Sequence, residues 1–309
     1  MGLFRMAFRT IQAVSPERAA TLAERLFFTT PRAMLTRSMQ AQLDRARPFA
    51  VTLGNHRIAV WSWGGDDGPV VYLVHGWGSR GGRLAAYVTP LLAAGFRVVA
   101  FDGLGHGASE GRLSSMPELA RTLEAVVGAV GPAHGIIAHS LGASAATLAM
   151  DWGLEVPKVV FIAPAADPIG FTMRWANQIG MRPDVLERMR ASSQRRIAFS
   201  WDDLDVLVMA RRRTAPLLVV HDAHDPVVPW SDGAAIADAW PNSTLITTKG
   251  LGHSEVVRAP SVVSQAVEFL SGQSAARDAR VSASAWEAHD LERDLFFRAR
   301  RTLHPGLSA

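Results

Sequence analysis

Short apolar runs recur through the middle of the chain and predict strands that are buried on both faces. Such runs are typical of a parallel sheet that is covered by helices on its two sides. Before the first of them, Phe49 to Leu53 and Ile58 to Trp63 flank Gly54-Asn55, a pattern that predicts an antiparallel hairpin. The runs are VVYLVH (70–75), FRVVAF (96–101), GIIAH (135–139), KVVFIA (158–163), PLLVVH (216–221) and STLITT (243–248).

Amphipathic stretches lie between these runs and predict helices. Because strand and helix alternate, we expect an α/β protein with a doubly wound, mostly parallel sheet of about eight strands. The helical stretches lie near residues 83–94, 116–130, 141–151, 231–239 and 260–271.

Residues 165–215 interrupt this alternation. The segment separates two predicted strands and carries large apolar side chains such as Trp175, Met189 and Trp201. A structureless loop of about fifty residues is uncommon in a compact domain, so we interpret the segment as a helical cap inserted over the sheet.

The first part of the chain predicts a helical arm of two helices. Ser15-Pro16 and Thr30-Pro31 each place a hydroxyl before a proline, which is the pattern of a helix start, and Pro48 would end the second helix. After the core, the tail is rich in Ala and Arg and has helical character near 285–303. The predicted divisions are the arm (1–48), the core with its cap (49–272) and the tail (273–309).

Two interpretations of the arm stay open. Phe4, Phe8 and Ile11 share one face of a helix that also carries Arg5 and Arg9. We expect this face to pack on the arm's own domain or on a second copy of the chain in a homo-oligomer. A basic amphipathic segment of this kind also suits the surface of a membrane.

Composition narrows the class of protein. The chain of 309 residues is 48% hydrophobic and 19% charged, as in ordinary globular proteins. Its net charge of +4 comes from arginines that are scattered along the chain, so we expect no nucleic-acid partner. The absence of cysteine excludes disulfides, thiolate metal sites and a cysteine nucleophile. No stretch resembles a signal peptide or a membrane span, and we expect a cytoplasmic protein.

Polar residues with catalytic chemistry follow three of the predicted strands. Ser140 follows the run 135–139, Asp225 follows the run 216–221, and His253 follows the run 243–248. Ligands of open parallel sheets bind beyond the carboxyl ends of the strands, where these residues would meet. Ser140 alone has two interpretations, because AHSLG departs from the G-x-S-x-G nucleophile motif at Ala138 and a serine before a helix is often only a cap.

The order Ser, Asp, His resembles the α/β-hydrolase superfamily, in particular its esterase-like and lipase-like members with a serine nucleophile. The resemblance covers roughly residues 50–272. It implies Ser140 as the nucleophile, Asp225 as the acid and His253 as the general base. It also implies an oxyanion hole made by the backbone N–H groups of Trp77 and Leu141.

One departure from the family pattern leaves the acid open. PLLVVHDAHDPVVP resembles the segment P-x-L-x-x-x-G-x-x-D-x-x-x-P, but Asp222 stands where a glycine is common. Two carboxylates are therefore candidates, and the spacing favours Asp225. A metal site around His221, Asp222, His224 and Asp225 is the rival interpretation, since these residue types bind zinc. The positions at strand ends favour the triad, so we expect no metal and no cofactor.

A serine nucleophile argues against haloalkane dehalogenases and epoxide hydrolases of this fold, which use Asp at that position. Triad and oxyanion hole suit cleavage of carboxylic esters through an acyl-enzyme. The apolar cap predicts a small-molecule ester with an apolar acyl or alkyl group. A thioesterase or an acyltransferase with the same triad, and a binding protein of this fold without activity, remain alternatives.

Overall fold

A computed structural model gives the fold of residues 2–272, and the predicted tail with its helix near 285–303 lies outside these described residues. Its centre is an eight-stranded sheet with the order β1-β2-β4-β3-β5-β6-β7-β8. The pairs β1–β2 and β2–β4 are antiparallel, and the other neighbours are parallel. The strands are β1 (Arg47–Leu53), β2 (His56–Trp63), β3 (Val70–Val74), β4 (Arg97–Phe101), β5 (Ala133–His139), β6 (Val159–Ile162), β7 (Leu217–Asp222) and β8 (Ser243–Thr248). The predicted fold class is confirmed.

The helices occupy the predicted intervals. In the core, three of the predicted stretches, 116–130, 141–151 and 260–271, match helices at both ends. The stretch near 83–94 divides into a 3-10 turn (Gly81–Tyr87) and a short α-helix. The α-helices are α1 (Gly2–Val14), α2 (Pro16–Phe28), α3 (Arg37–Leu43), α4 (Val88–Ala93), α5 (Met116–Val130), α6 (Leu141–Asp151), α7 (Pro168–Ile179), α8 (Pro183–Ile197), α9 (Val206–Arg211), α10 (Trp230–Ala239), α11 (Gly252–Glu255) and α12 (Pro260–Ser271).

Burial explains why the strands read as continuous apolar runs. Every residue of β3, β4, β6 and β7 is buried, because helices cover both faces of the sheet. Successive side chains of a strand point to opposite faces, so Tyr72 and Val74 enter one core while Val71 and Leu73 enter the other. Strand β8 lies at the edge and is only half covered.

The arm has three helices, α1, α2 and α3, and not the two predicted, and its second half differs most from the prediction. The predicted start at Ser15-Pro16 is confirmed, since the Ser15 hydroxyl accepts the N–H of Arg18. The predicted start at Thr30-Pro31 is wrong: the helix after it begins at Arg37. The Thr30 hydroxyl instead donates to the carbonyl of a distant residue, Gly105.

Pro48 was also expected to end a helix, and that prediction is wrong. It lies within β1 opposite Trp61. Strand β1 is an edge strand, where proline's missing N–H need not break a ladder hydrogen bond.

Arm and cap share a third apolar core. Residues 165–215 contain α7, α8 and α9, in agreement with the predicted cap. Gln12 of the arm donates to the carbonyl of Gly180 (2.9 Å) and accepts the N–H of Arg182 (3.0 Å). Within this chain the arm therefore packs on the cap. The buried side chains of the shared core are Phe8, Ala19, Ala20, Ala23 and Phe28 from the arm, with Ala176, Ile179, Met181, Val185, Met189 and Trp201 from the cap.

Over residues 2–272, none of the helices combines the length and the apolar character that crossing a membrane requires.

Candidate active site

Ser140 occupies a strained turn between β5 and α6. Its φ of 55° and ψ of −127° lie in a region that residues with a side chain rarely adopt. Although Ser140 precedes α6 directly, its side chain makes no capping hydrogen bond to the helix. The interpretation of Ser140 as an ordinary helix cap is therefore wrong. A strained serine between strand and helix, whose hydroxyl does not cap the helix, has the backbone geometry of a nucleophile elbow.

Small residues around Ser140 permit this turn. A β-carbon added at Gly142 would lie 2.5 Å from the carbonyl oxygen of His75 and 2.7 Å from that of Val74, so α6 begins directly against the end of β3. Ala138, the departure from the motif, is fully buried in the main core between Val74 and Phe161 of the neighbouring strands. The extra methyl group thus has a place inside the sheet, and the turn keeps its form.

The loop after β3 lies directly against the elbow. A β-carbon added at Gly76 would lie 2.9 Å from Cβ of Ser140 and 3.4 Å from its Oγ. Trp77 follows Gly76 in this loop, and Leu141 is the first residue of α6, whose N–H has no partner inside the helix. The two N–H groups predicted for the oxyanion hole therefore belong to two segments that both adjoin Ser140.

Two buried histidines hold this loop in place. Nε2 of His75 accepts the N–H of Gly103 (2.9 Å), and Nε2 of His106 accepts the N–H of Gly78 (3.2 Å). A neutral imidazole with one accepting nitrogen carries its proton on the other, and Nδ1 of His75 donates to the carbonyl of Gly76 (2.7 Å). Burial lowers the pKa of His75 to about 4 and that of His106 to about 3, so both stay neutral acceptors near pH 7.

The arm supports the same loop from outside. A β-carbon added at Gly78 would lie 2.7 Å from Cγ of Pro31, so the two residues are in close contact. The neighbouring Arg32 donates to the carbonyl of Gly107 (2.7 Å) in the loop after β4. The segment at Thr30, predicted as a helix start, is thus extended and lies along the loops beside Ser140.

His253 and Asp225 form a hydrogen-bonded pair on the other side of the site. Nδ1 of His253 donates to Oδ2 of Asp225 (2.7 Å), and Oδ1 of Asp225 accepts the N–H groups of Val227 (2.8 Å) and Val228 (3.0 Å). Burial raises the pKa of Asp225, but the hydrogen bonds from His221, His253 and the two amides outweigh it and hold that pKa well below its usual range. A carboxylate at this position fixes the proton of His253 on Nδ1 and leaves Nε2 free to accept another.

Asp222, the second candidate for the acid, has different partners. Its carboxylate accepts the N–H of Leu251 (2.9 Å), the hydroxyl of Thr248 (2.9 Å) and the N–H of His224 (3.0 Å). Of the two carboxylates, Asp225 is the one that hydrogen-bonds His253.

Two further histidines, His139 and His221, also touch the site. The ring of His139 lies 4.6 Å from that of His253 between centroids, and its Nε2 lies 3.3 Å from the His253 carbonyl oxygen. Because His139 directly precedes Ser140, this contact brings His253 to the elbow. Burial lowers the pKa of His139 far below its usual value, so it adds no positive charge beside His253. His221 places Nε2 3.1 Å from the carbonyl oxygen of Val228 and 3.5 Å from Oδ2 of Asp225.

The alternative of a metal centre finds no support in this region. In the described part of the chain, no three His, Cys, Asp or Glu side chains are arranged to hold a metal ion. Of the predicted cluster, His221 lies 3.5 Å from Asp225, while Asp222 accepts the backbone N–H of His224.

The order of the sheet and the strand-to-helix turn at Ser140 define an α/β-hydrolase fold. Residues 71–266 match the alpha/beta hydrolase family, and the chain belongs to that family.

Similarity to individual proteins is weaker and partial. A segment of 101 residues is 38% identical to a Mycobacterium tuberculosis protein named "Probable oxidoreductase EphD", covering 31% of this chain but only 15% of that protein's length. The esterase Pf2001 of Pyrococcus furiosus has a similar structure, with a TM-score of 0.60, 19% identity, and coverage of 79% of this chain and 97% of that one. The esterase RhEst1 of Rhodococcus sp. ECU1013 gives a TM-score of 0.55, 21% identity, and coverage of 74% and 100%. At such identities the structural likeness concerns the fold.

Proposed function

We propose that the protein is a serine hydrolase that cleaves carboxylic esters through an acyl-enzyme, with Ser140, His253 and Asp225 as its triad. The observation that carries the proposal is the 2.7 Å hydrogen bond from His253 to Asp225, beside a strained serine whose hydroxyl does not cap its helix. Membership of the alpha/beta hydrolase family supports a hydrolase.

The chemistry follows from what a serine hydroxyl needs. At neutral pH the hydroxyl is a weak nucleophile until an adjacent base removes its proton. Nε2 of His253 takes that proton as Ser140 attacks the ester carbonyl, and it then protonates the leaving alcohol. Asp225 keeps the imidazole in the correct tautomer and stabilises its charged form. Water then attacks the acyl-enzyme by the same route.

The tetrahedral intermediate needs donors that are in place before its charge develops. The N–H groups of Trp77 and Leu141 supply them, and loss of one such donor typically costs about 3 kcal/mol of transition-state stabilisation. Leu141 also stands at the N-terminus of α6, where the helix dipole favours negative charge.

The surroundings of Ser140 favour a substrate with an apolar group. The cap begins beside the elbow, since the N–H of Ala165 lies 3.5 Å from the carbonyl oxygen of Ser140. Helix α7 then carries Phe171 and Trp175, whose rings lie 6.3 Å and 4.9 Å from that of Phe27 of the arm. Phe171 is 52% exposed, so this aromatic group of arm and cap presents apolar surface to solvent. An apolar acyl or alkyl group fits such a wall.

The test is labelling with a fluorophosphonate combined with hydrolysis of p-nitrophenyl esters of increasing acyl length. We expect the wild-type protein to be labelled and to cleave the esters, and Ser140→Ala to lose both properties. Ser264→Ala is the matched control, because Ser264 is an exposed serine on α12 that bonds Glu268. A wild-type protein that is neither labelled nor active contradicts the proposal, and labelling that survives in Ser140→Ala shows that another serine reacts.

A further inference from the structure

Asp222 is a buried carboxylate that the proposed chemistry leaves unused. It is the last residue of β7, and its side chain is inaccessible to solvent. Burying a charge is costly unless hydrogen bonds compensate it, so its partners indicate what it does. Burial raises the pKa of Asp222, but hydrogen bonds from the N–H groups of Leu251 and His224, the Thr248 hydroxyl and the N–H of Gly252 outweigh it and lower that pKa.

These partners lie on two different loops. His224 belongs to the loop after β7 and directly precedes Asp225, the proposed acid. Leu251 ends the loop after β8 and Gly252 begins the short helix α11, and the two directly precede His253, the proposed base. One carboxylate therefore accepts hydrogen bonds from the residue before the acid and from both residues before the base.

The segment between β8 and His253 contains two glycines in the left-handed region. Gly250 and Gly252 both have positive φ values, of 81° and 60°, which glycine adopts without steric cost. A loop with two such residues has a flexible backbone in isolation. Hydrogen bonds to a charged acceptor are about twice as strong as neutral ones, and Asp222 supplies them just before His253.

We propose that Asp222 is a positioning residue that connects the segment carrying His253 to the loop carrying Asp225. It thereby holds the side chains of His253 and Asp225 in the positions that their hydrogen bond requires. The proposal rests on the function proposed above, in which His253 and Asp225 are the base and the acid. It also accounts for a carboxylate at the position where the family segment commonly has glycine.

Two substitutions of Asp222 test the contribution of its acceptor oxygens. Asp222→Gly removes every acceptor from the N–H groups of Leu251, Gly252 and His224. Asp222→Asn keeps the size but turns one acceptor oxygen into an NH2 donor, which cannot accept from an N–H. Because a small misplacement of a catalytic group can cost about a hundredfold in rate, we expect kcat on p-nitrophenyl esters to fall roughly 10- to 100-fold in both variants, with KM changed less than about threefold.

A readout that does not depend on activity tests the positioning itself. A proton held between an imidazole nitrogen and a carboxylate gives a proton NMR signal far downfield of ordinary amides, and Asp225→Asn identifies the signal of His253 by removing it. We expect this signal in the full-length wild-type protein, and we expect it to broaden or disappear in Asp222→Gly and Asp222→Asn. Asp151→Asn is the control, because Asp151 bonds Arg212 and Arg213 at the opposite end of α6 from Ser140.

The outcomes are distinct. If kcat and the downfield signal are unchanged in both Asp222 variants, the proposal is overturned. If the wild-type protein hydrolyses no ester but the signal is present and depends on Asp222, the proposed function fails while the positioning role stands. If both Asp222 variants fail to fold, Thr248→Val decides, since it removes one hydrogen bond; we expect a roughly threefold lower kcat and a weakened signal, and no change in either overturns the proposal.

Discussion

The two sides of the candidate site are built with opposite kinds of anchor. On one side, here called the oxyanion side after the role proposed for it, the loops after β3 and β4 (residues 75–79 and 102–109) are joined by the neutral imidazoles of His75 and His106. On the other, the acid–base side, the loops after β7 and β8 are joined by the carboxylates of Asp222 and Asp225.

In the proposed mechanism, the difference matches the charge that each side would receive. A negative oxyanion is stabilised by dipoles and opposed by a nearby negative charge, so neutral acceptors suit the loop that contains Trp77. A protonated His253 is stabilised by a negative charge, so carboxylates suit the loops beside it. The oxyanion side does contain one buried carboxylate, Asp102, but it accepts the N–H groups of Gly81 and Ala108 and lies 3.4 Å from Arg80.

The largest expected effect on kcat comes from a substitution on the acid–base side. In Asp225→Asn the amide removes the negative charge that fixes the tautomer of His253, and such a change lowers kcat by about ten-thousandfold in a serine protease triad. We expect a loss of that order in ester hydrolysis, measured at saturating p-nitrophenyl ester. An unfolding midpoint close to that of the wild type is the control for folding, and a loss below about tenfold argues against Asp225 as the acid.

The next largest effect on kcat is expected from a substitution on the oxyanion side. A β-carbon at Gly76 would lie 2.9 Å from Cβ of Ser140, so Gly76→Ala must displace the loop that carries Trp77. We expect kcat to fall by roughly 100- to 1000-fold, as when one oxyanion donor is lost, with a smaller change in KM. Gly128→Ala in α5 is the matched control, because a β-carbon there meets no atom within 4 Å. Equal activity of the two variants contradicts the assignment of this loop.

The stability of the oxyanion side is expected to depend on pH through His75. The unfolded chain protonates His75 near its ordinary pKa of 6.5, whereas burial in the folded protein lowers that pKa to about 4. Between these two values only the unfolded state binds the proton, so stability falls as the pH drops through this window, by about 3 kcal/mol for this group. Urea unfolding at a series of pH values measures the slope, and His75→Gln is expected to flatten it. An unchanged slope in that variant shows that His75 is not the group responsible.

The smallest expected effect concerns the arm. Arg32→Ala removes hydrogen bonds to the carbonyls of Gly107 (2.7 Å) and Gly111 (3.2 Å), and we expect a loss of about 1 kcal/mol in the free energy of unfolding. Arg37→Ala, at an exposed arginine of α3, is the control. A larger loss in Arg37→Ala than in Arg32→Ala contradicts the view that the arm supports the oxyanion side through Arg32.

The spacing of apolar residues predicted the strands and helices of the core well, because the buried positions there follow that spacing. The limits of α5, α6 and α12 match the apolar pattern, since each of these helices buries apolar side chains in the core. Ser15 and Thr30 show where local signals stop: both precede a proline, but only Ser15 caps a helix. Thr30 bonds Gly105, which lies 75 residues away in the chain, and no short-range pattern contains that partner.

The site divides in the same way. Chain order and the positions after strand ends predict that Ser140, Asp225 and His253 lie at the carboxyl ends of the strands. Both features can be read from the sequence. The choice between Asp222 and Asp225 depends on which carboxylate reaches His253, and that distance is set by the shapes of two loops. The contacts of His139 and His221 arise from the packing of neighbouring strand ends. Their positions directly before Ser140 and four residues before Asp225 were the only signal in the sequence.

The joint core of arm and cap has a consequence for how the chain folds. Gln12 bonds Gly180 across 168 residues of sequence, and the apolar face of α2 is covered by α8. At typical synthesis rates of about 5–20 residues per second, the cap is synthesised roughly 10–30 s after the arm. Phe8 and Phe28 are exposed during that interval. Transiently exposed apolar surface is prone to aggregation, so the arm needs protection until the cap is available to cover it.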